Sequence, residues 1–269
     1  DGITKGALYD YYGAVMEWLL PEISGRPLSL VRCPGGIGSQ CFFQKHVMPG
    51  LELVSRVQVE ASDGGHEDYL VVTDAASVME LVQFNSIEFH PWGSRVEDIE
   101  HVDRLVLDLD PDEAVAWAEV VAAARQLRDF LKQAGLQSFV RTSGGKGLHL
   151  VVPLAPAAPW DKARAFAKAV AEAAREMDPL RYVATASKRL RKGKIFIDWL
   201  RNGRGATSVA SFSVRARPGA PVSMPLRWEE LGRVASGHAF DIGNTPARLK
   251  RLKAHPWQGI EQVEQSLPE

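Results

Sequence analysis

The chain has little cysteine and no long hydrophobic run. Only Cys33 and Cys41 occur, too few for a disulfide framework or a thiolate zinc site, which fits a reducing compartment. The longest apolar runs, such as Leu148 to Leu154, fall far short of the ~20 residues that cross a bilayer, and the start carries no signal-peptide pattern. No membrane role is expected, and the cytoplasm is the default compartment. The first residue is Asp1 rather than Met, which points to a piece of a longer polypeptide. With 269 residues, 45% of them hydrophobic and 24% charged, the composition is that of an ordinary globule of one large domain or two small ones.

There is also almost no net charge, formally -1, but the balance is uneven. Between Arg181 and Arg217 stand ten Lys or Arg (181, 188, 189, 191, 192, 194, 201, 204, 215 and 217) against one acid, Asp198. Such a stretch makes an electropositive surface sized for a polyanion.

What the chain does have is Leu105-Val106-Leu107-Asp108-Leu109-Asp110-Pro111. In a strand, Leu105, Leu107 and Leu109 face a core, and Val106, Asp108 and Asp110 face the other way. Two carboxylates side by side repel unless a cation sits between them, and oxygen donors suit a divalent metal. The bland alternative is a strand-ending turn at Asp110-Pro111.

The spacing predicts an amphipathic helix from Thr4, with Leu8, Tyr11, Tyr12, Val15 and Leu19 on one stripe and Pro21 as its stop. A strand over Leu28 to Arg32 follows, then the pair Phe42-Phe43, a base-stacking platform or one buried and one half-exposed ring. A hairpin is expected between 51–60 and 68–73 around Ser62-Asp63-Gly64-Gly65. Asp74 then caps a helix to Gln83, and Ser86 to His90 is a strand. From residue 103 the predicted order is strand (103–110), helix (113–134), strand (137–141), turn (142–147), strand (148–152), helix (160–177) and strand (194–200). This β-α-β-β-α-β succession is the ferredoxin-like, RNA-recognition-like core of an α/β (α+β) fold, preceded by a small mixed α/β layer.

In that topology the last strand lies beside the first, so Asp198 in Phe196-Ile197-Asp198-Trp199-Leu200 can reach the face of Asp108 and Asp110. A lone acid in an apolar strand is costly unless paired or metal-bound, so the three form a candidate cage for two Mg²⁺ or Mn²⁺ ions. Thr142-Ser143-Gly144-Gly145-Lys146-Gly147-Leu148-His149 is a candidate triphosphate cradle. Its spacing is not that of a Walker loop, and it reads alternatively as a plain glycine hairpin. Arg201, and Arg215 with Arg217 on one strand face, are further candidate anion contacts.

The segments TKGALYDYY, GRPLSLVRCPGG, CFFQKH, EFHPW, LVLDLDP, RTSGGKGLHLVVP, FIDWLRNGRGATSVASFSVRARPGAPVSMPLRW and FDIGN together resemble the polymerase domain of bacterial ATP-dependent DNA ligase D, in the archaeo-eukaryotic primase-polymerase superfamily. The resemblance spans nearly the whole chain. It implies one primase-polymerase-type domain, with an N-terminal subregion (1–102), a catalytic core with a basic loop (103–217) and a C-terminal extension (218–269). The implied activity is nucleotidyl transfer: ribo- or deoxyribonucleoside triphosphates added to 3′ ends at gaps and double-strand breaks, in non-homologous end joining in the bacterial cytoplasm. It implies Asp108, Asp110 and Asp198 as ligands of two Mn²⁺ or Mg²⁺ ions, Ser143, Lys146 and His149 as nucleotide-phosphate contacts, and Phe42 and Phe43 as stacking rings. By the same resemblance His90 lies near the nucleotide sugar and Arg215 and Arg217 meet the triphosphate. Lys5 holds a 5′ phosphate of DNA, and the basic loop carrying Lys188, Arg189, Arg191, Lys192 and Lys194 engages DNA ends. Arg201 departs from a pattern that frequently has Gln. Ligase and phosphoesterase domains of one polypeptide and the Ku protein are the implied partners.

Two other classes compete. A non-catalytic RNA-recognition module would present aromatics on its central strands, where this sheet presents carboxylates. A metal-dependent phosphodiesterase would use the same acids but has no need of a triphosphate cradle.

Overall fold

The computed structural model describes residues 2–61 and 64–268; Ser62 and Asp63 of the expected hairpin tip lie outside the described residues. The chain forms two compact units. One comprises Asp1–Asp98, Thr207–Ser223 and Phe240–Leu252, the other Ile99–Ala206, Met224–Ala239 and Lys253–Glu269. The segment 207–217, expected with the catalytic core, clusters with the first unit.

The first unit begins with helix α1 (Lys5–Ile23), capped by Thr4, whose hydroxyl accepts from Ala7 N at 3.1 Å. Tyr11, Tyr12, Val15 and Leu19 are buried along one face. Pro21 does not stop this helix. In its last turn the missing N–H costs one hydrogen bond, and the chain leaves at Ser24 and Gly25, where φ is +66°. Strands β1 (Leu28–Arg32), β2 (Phe42–Gln44), β3 (Ser55–Glu60) and β4 (His66–Val71) follow, then α2 (Ala75–Gln83), capped by Asp74, and β5 (Ser86–Pro91). The sheet order is β2-β1-β4-β3, with β5 also paired to β1.

The two cysteines, which a reducing compartment would keep as thiols, are paired instead. Cys33 and Cys41 form a disulfide that closes the loop between β1 and β2. Sequence composition alone misses this because pairing depends on the loop bringing the two residues together.

The second unit contains β6 (His101–Pro111), α3 (Trp117–Gln133), β7 (Phe139–Thr142), β8 (Leu148–Pro159), α4 (Trp160–Met177), β9 (Tyr182–Val183), β10 (Ile195–Asp198) and β11 (Pro225–Leu226). Helix α3 starts four residues after the expected residue 113, because Asp112 to Ala116 form a turn before Ala116 N bonds to Glu119 Oε2 at 3.2 Å. The sheet order β11-β7-β8-β6-β10-β9 contains the ferredoxin-like order, with the last core strand, β10, beside the first, β6, and antiparallel to it. Leu105, Leu107 and Leu109 are fully buried on one face. On the other face Val106, Phe139, Val151, Trp257 and Ile260 form a small core, and the acids continue that face beyond it. Helix α5 (Thr245–Leu249) returns to the first unit. Among the described residues no helix is long and apolar enough to cross a membrane.

Candidate active site

Strand register builds one row of polar side chains across the second unit's sheet. Asp198 on β10 pairs with Asp108 on β6, Asp108 with His149 on β8, and His149 with Arg141 on β7. Partners in antiparallel register point to the same face, so four side chains from four strands line up. Arg141 Nε donates to His149 Nδ1 at 3.2 Å, and His149 Nε2 lies 3.4 Å from Asp108 Oδ1. A guanidinium only donates, so Nδ1 is the acceptor and Nε2 carries the hydrogen, aimed at Asp108. His149 and Arg141 are buried. Arg141 went unremarked in the sequence; its signal is its even spacing from Phe139 on the strand that ends in the glycine turn.

Asp110 stands two residues along β6, opposite Phe196. Its Oδ2 accepts from Arg191 at 3.1 Å, and that guanidinium lies 3.8 Å above the Phe196 ring. Arg201 Nε lies 3.1 Å from Asp198 Oδ2 and 3.6 Å from Asp108 Oδ2. Burial pushes the Asp110 and Asp198 carboxyls above the ordinary aspartate value; the Asp108 charge adds to this and the arginines oppose it.

Among the described residues no group of three or more His, Cys, Asp or Glu is drawn together as a finished metal cage. Asp108 and Asp198 face each other, while Asp110 is engaged by Arg191. The donor chemistry nevertheless suits a hard divalent cation: the donors are carboxylate oxygens, and a side-chain cation, Arg201, already sits beside the opposed pair.

The turn after β7 is wrapped around its own serine. Ser143 Oγ accepts from Gly145 N at 3.1 Å and Gly147 N at 3.2 Å, so these amides point inward. Gly147 admits no side chain, since a Cβ there would come within 1.8 Å of Leu109 O. His238 Nδ1 meets Gly145 O at 3.2 Å from outside. Lys146 reaches Glu113 at 2.8 Å in an exposed pair, which holds it loosely.

The remaining candidates of this unit lie on the basic loop. Lys188, Arg189 and Lys192 are exposed, and Lys194 Nζ is bonded to Pro179 O at 2.7 Å. The charge of the 181–217 stretch is therefore partly internal: Arg191, Arg201, Arg204 and Arg215 each have a carboxylate partner.

Lys5, Phe42, Phe43, His90, Arg215 and Arg217 belong to the first unit. Phe42 and Phe43 are 40% and 61% exposed, so neither ring is a core residue. Arg32 lies over Phe42 at 5.6 Å, and Phe43 packs edge-on to His90 at 5.5 Å. The segment 212–217 is not the expected strand. Val214 makes one isolated bridge to Val222, Phe212 has φ +66°, and the chain turns. Arg215 and Arg217 still share a destination, a cavity of about 250 Å³ that Lys5, Thr4 and Ser86 also line.

Glu88, missed by sequence reasoning, organises this region. Its Oε2 accepts from His90 Nε2 at 2.7 Å and Arg215 Nε at 2.9 Å, and its Oε1 from Ala216 N at 2.7 Å. Burial alone would raise its pKa; the His90 hydrogen bond, the Arg215 charge and the Ala216 amide prevail and hold it at about 2.

The whole pattern has relatives. The family model described as LigD, primase-polymerase domain, matches residues 4–257. The multifunctional non-homologous end joining protein LigD of Pseudomonas aeruginosa is 41% identical over 256 residues, covering 94% of this chain and 30% of the relative. The multifunctional non-homologous end joining DNA repair protein LigD of Mycobacterium tuberculosis H37Rv is 36% identical over 239 residues, covering 86% of this chain and 31% of the relative. The chain thus spans about a third of the length of these relatives. A solved structure, the polymerase domain from Mycobacterium tuberculosis ligase D in complex with DNA, matches with a TM-score of 0.88 and 31% identity, over 97% of this chain and 93% of that one. Family model, identities and fold agree, and the chain belongs to the LigD primase-polymerase domain family, a nucleotidyltransferase of the primase-polymerase type.

Proposed function

We propose that this chain extends DNA 3′ ends with ribo- or deoxyribonucleotides at gaps and double-strand breaks, as the polymerase part of a multidomain ligase that joins non-homologous ends. The row Asp198-Asp108-His149-Arg141 carries the reading. Asp108 and Asp198, with Asp110, would hold two Mg²⁺ or Mn²⁺ ions, which when bound activate the attacking hydroxyl and stabilise the leaving pyrophosphate. His149, oriented by Arg141, offers an Nε2–H beside the acids, suited to a phosphate oxygen. Lys146, loosely held by Glu113, and Ser143 are the other phosphate contacts of this unit.

In the first unit, the exposed rings of Phe42 and Phe43 suit stacking on a base, and His90, fixed by Glu88, suits a sugar hydroxyl. Lys5, Arg215 and Arg217 lining one cavity make a phosphate-holding place. The roles expected separately for Lys5, on a DNA 5′ phosphate, and for the two arginines, on a triphosphate, converge there. Lys188, Arg189 and Lys192 project from a loop suited to the backbone of a DNA end. Ligase and phosphoesterase domains, the Ku protein and a place at the bacterial nucleoid are part of the same proposal, supported by the naming of the relatives as end-joining proteins.

The test is extension of a gapped duplex with or without a 5′ phosphate, with ribo- and deoxynucleotides and with metal identity varied. Metal-dependent addition favoured by the 5′ phosphate is expected; addition independent of divalent metal would refute the reading.

A further inference from the structure

Arg201 is placed with unusual care for a half-exposed side chain. After Asp198 the chain leaves β10, and the side chain of Asn202 takes over that strand's role: Val106 N donates to its Oδ1 and its Nδ2 to Val106 O, each at 2.7 Å. Asn202 is buried, and Asp198 Oδ1 accepts from Leu200 N at 2.9 Å. The short helical turn between these anchors presents Arg201 to both opposed acids, 3.1 Å from Asp198 and 3.6 Å from Asp108. Its side chain is 45% exposed, so charge, more than packing, holds it there. Arg191 differs, since its guanidinium is stacked 3.8 Å above Phe196 where it meets Asp110.

Two carboxylates facing each other across a strand pair repel, and a guanidinium stays charged throughout the physiological range. Arg201 therefore places beside the pair the positive charge that a bound divalent cation would supply. We propose that Arg201 is the internal counter-ion of the Asp108–Asp198 pair, a positioning residue that a divalent cation must displace before it can bind. This rests on the metal-holding reading of those acids. It assigns Arg201 a role before the nucleotide arrives, distinct from contact with a triphosphate. The consequence is that Arg201 lowers the affinity of the nucleotide-free protein for metal and preserves the site's geometry while no metal is bound.

Direct Mn²⁺ binding, followed by electron paramagnetic resonance of free Mn²⁺ without nucleotide or DNA, tests this on the whole chain. Arg201→Gln is expected to bind Mn²⁺ about three- to tenfold more tightly than the parent, the range set by a shared, partly exposed ion pair. Arg201→Lys, which keeps the charge, should stay near the parent. Arg204→Gln, which removes an equal charge paired with Glu100, should leave the affinity unchanged and so separates a local counter-ion from a change in net charge. Equal or weaker binding by Arg201→Gln, with Asp198→Asn abolishing binding, would overturn the proposal and leave the metal reading standing. Absence of Mn²⁺ binding in both the parent and Arg201→Gln would overturn both.

Discussion

In the first unit Glu88 collects three donors around one buried carboxylate, whereas in the second Asp108, Asp110 and Asp198 divide two arginines and a histidine among them. Both are acids surrounded by Arg and His, yet Glu88 is pulled down to about 2 while Asp110 and Asp198 are pushed up. Glu88 is a closed network in which hydrogen bonds outweigh burial. Asp110 and Asp198 stay raised because burial first, and the Asp108 charge after it, outweigh the arginines beside them. A saturated acid serves structure, and an acid kept short of positive charge is suited to take up a cation.

The substitution expected to break the comparison most completely is Asp108→Ala. It removes the acid shared by His149 and Arg201 and should lower primer extension by about a thousandfold or more, the scale of losing a metal ligand. DNA binding, followed by gel shift, should be nearly unchanged.

Glu88→Gln sharpens the other side. A carboxyl lowered from 4.5 to about 2 contributes stability that is present above pH ~4.5 and lost as pH falls toward 2, on the order of 3 kcal/mol. Urea unfolding at pH 7 should show a loss of that order in the variant. The gap between parent and variant should narrow as the pH is lowered to 3. A gap that does not depend on pH would mean that packing, rather than charge, holds the network.

Arg141→Met leaves His149 Nδ1 without its donor and should reduce kcat about tenfold with little change in unfolding midpoint, measured by steady-state extension and thermal melts. Wild-type kcat would show that the His149 orientation is immaterial. The smallest effect is expected for Lys5→Ala, a severalfold loss of preference for 5′-phosphorylated gaps, the scale of one exposed cation at a phosphate. An equal loss on unphosphorylated DNA would remove Lys5 from that role.

The two units also differ in how far the sequence discloses them. Helices with a clear cap or period, such as Ala75–Gln83 behind Asp74 and Trp160–Met177, can be placed to the residue. The β-α-β-β-α-β order follows from the alternation of periods, and with it the adjacency of β10 and β6. What remains hidden depends on contacts distant in sequence. Nothing local shows that Arg141, His149, Asp108 and Asp198 share one row, because the row exists only once three strand registers are known. Glu88 looks like one acid in an apolar strand until residues 215 and 216 arrive from more than a hundred positions away. Arg215 and Arg217 alternate like a strand, yet the segment turns, and the Cys33–Cys41 bond is set by a loop whose path composition does not specify.

The most direct test of the central claim, that the opposed acids of β6 and β10 hold the divalent cation used in nucleotide addition, is stoichiometric Mn²⁺ binding to Asp198→Asn beside the parent chain. The account predicts that the variant loses bound Mn²⁺ and primer extension together while its melting temperature stays within a few degrees of the parent. Retention of full Mn²⁺ stoichiometry by the variant would contradict it.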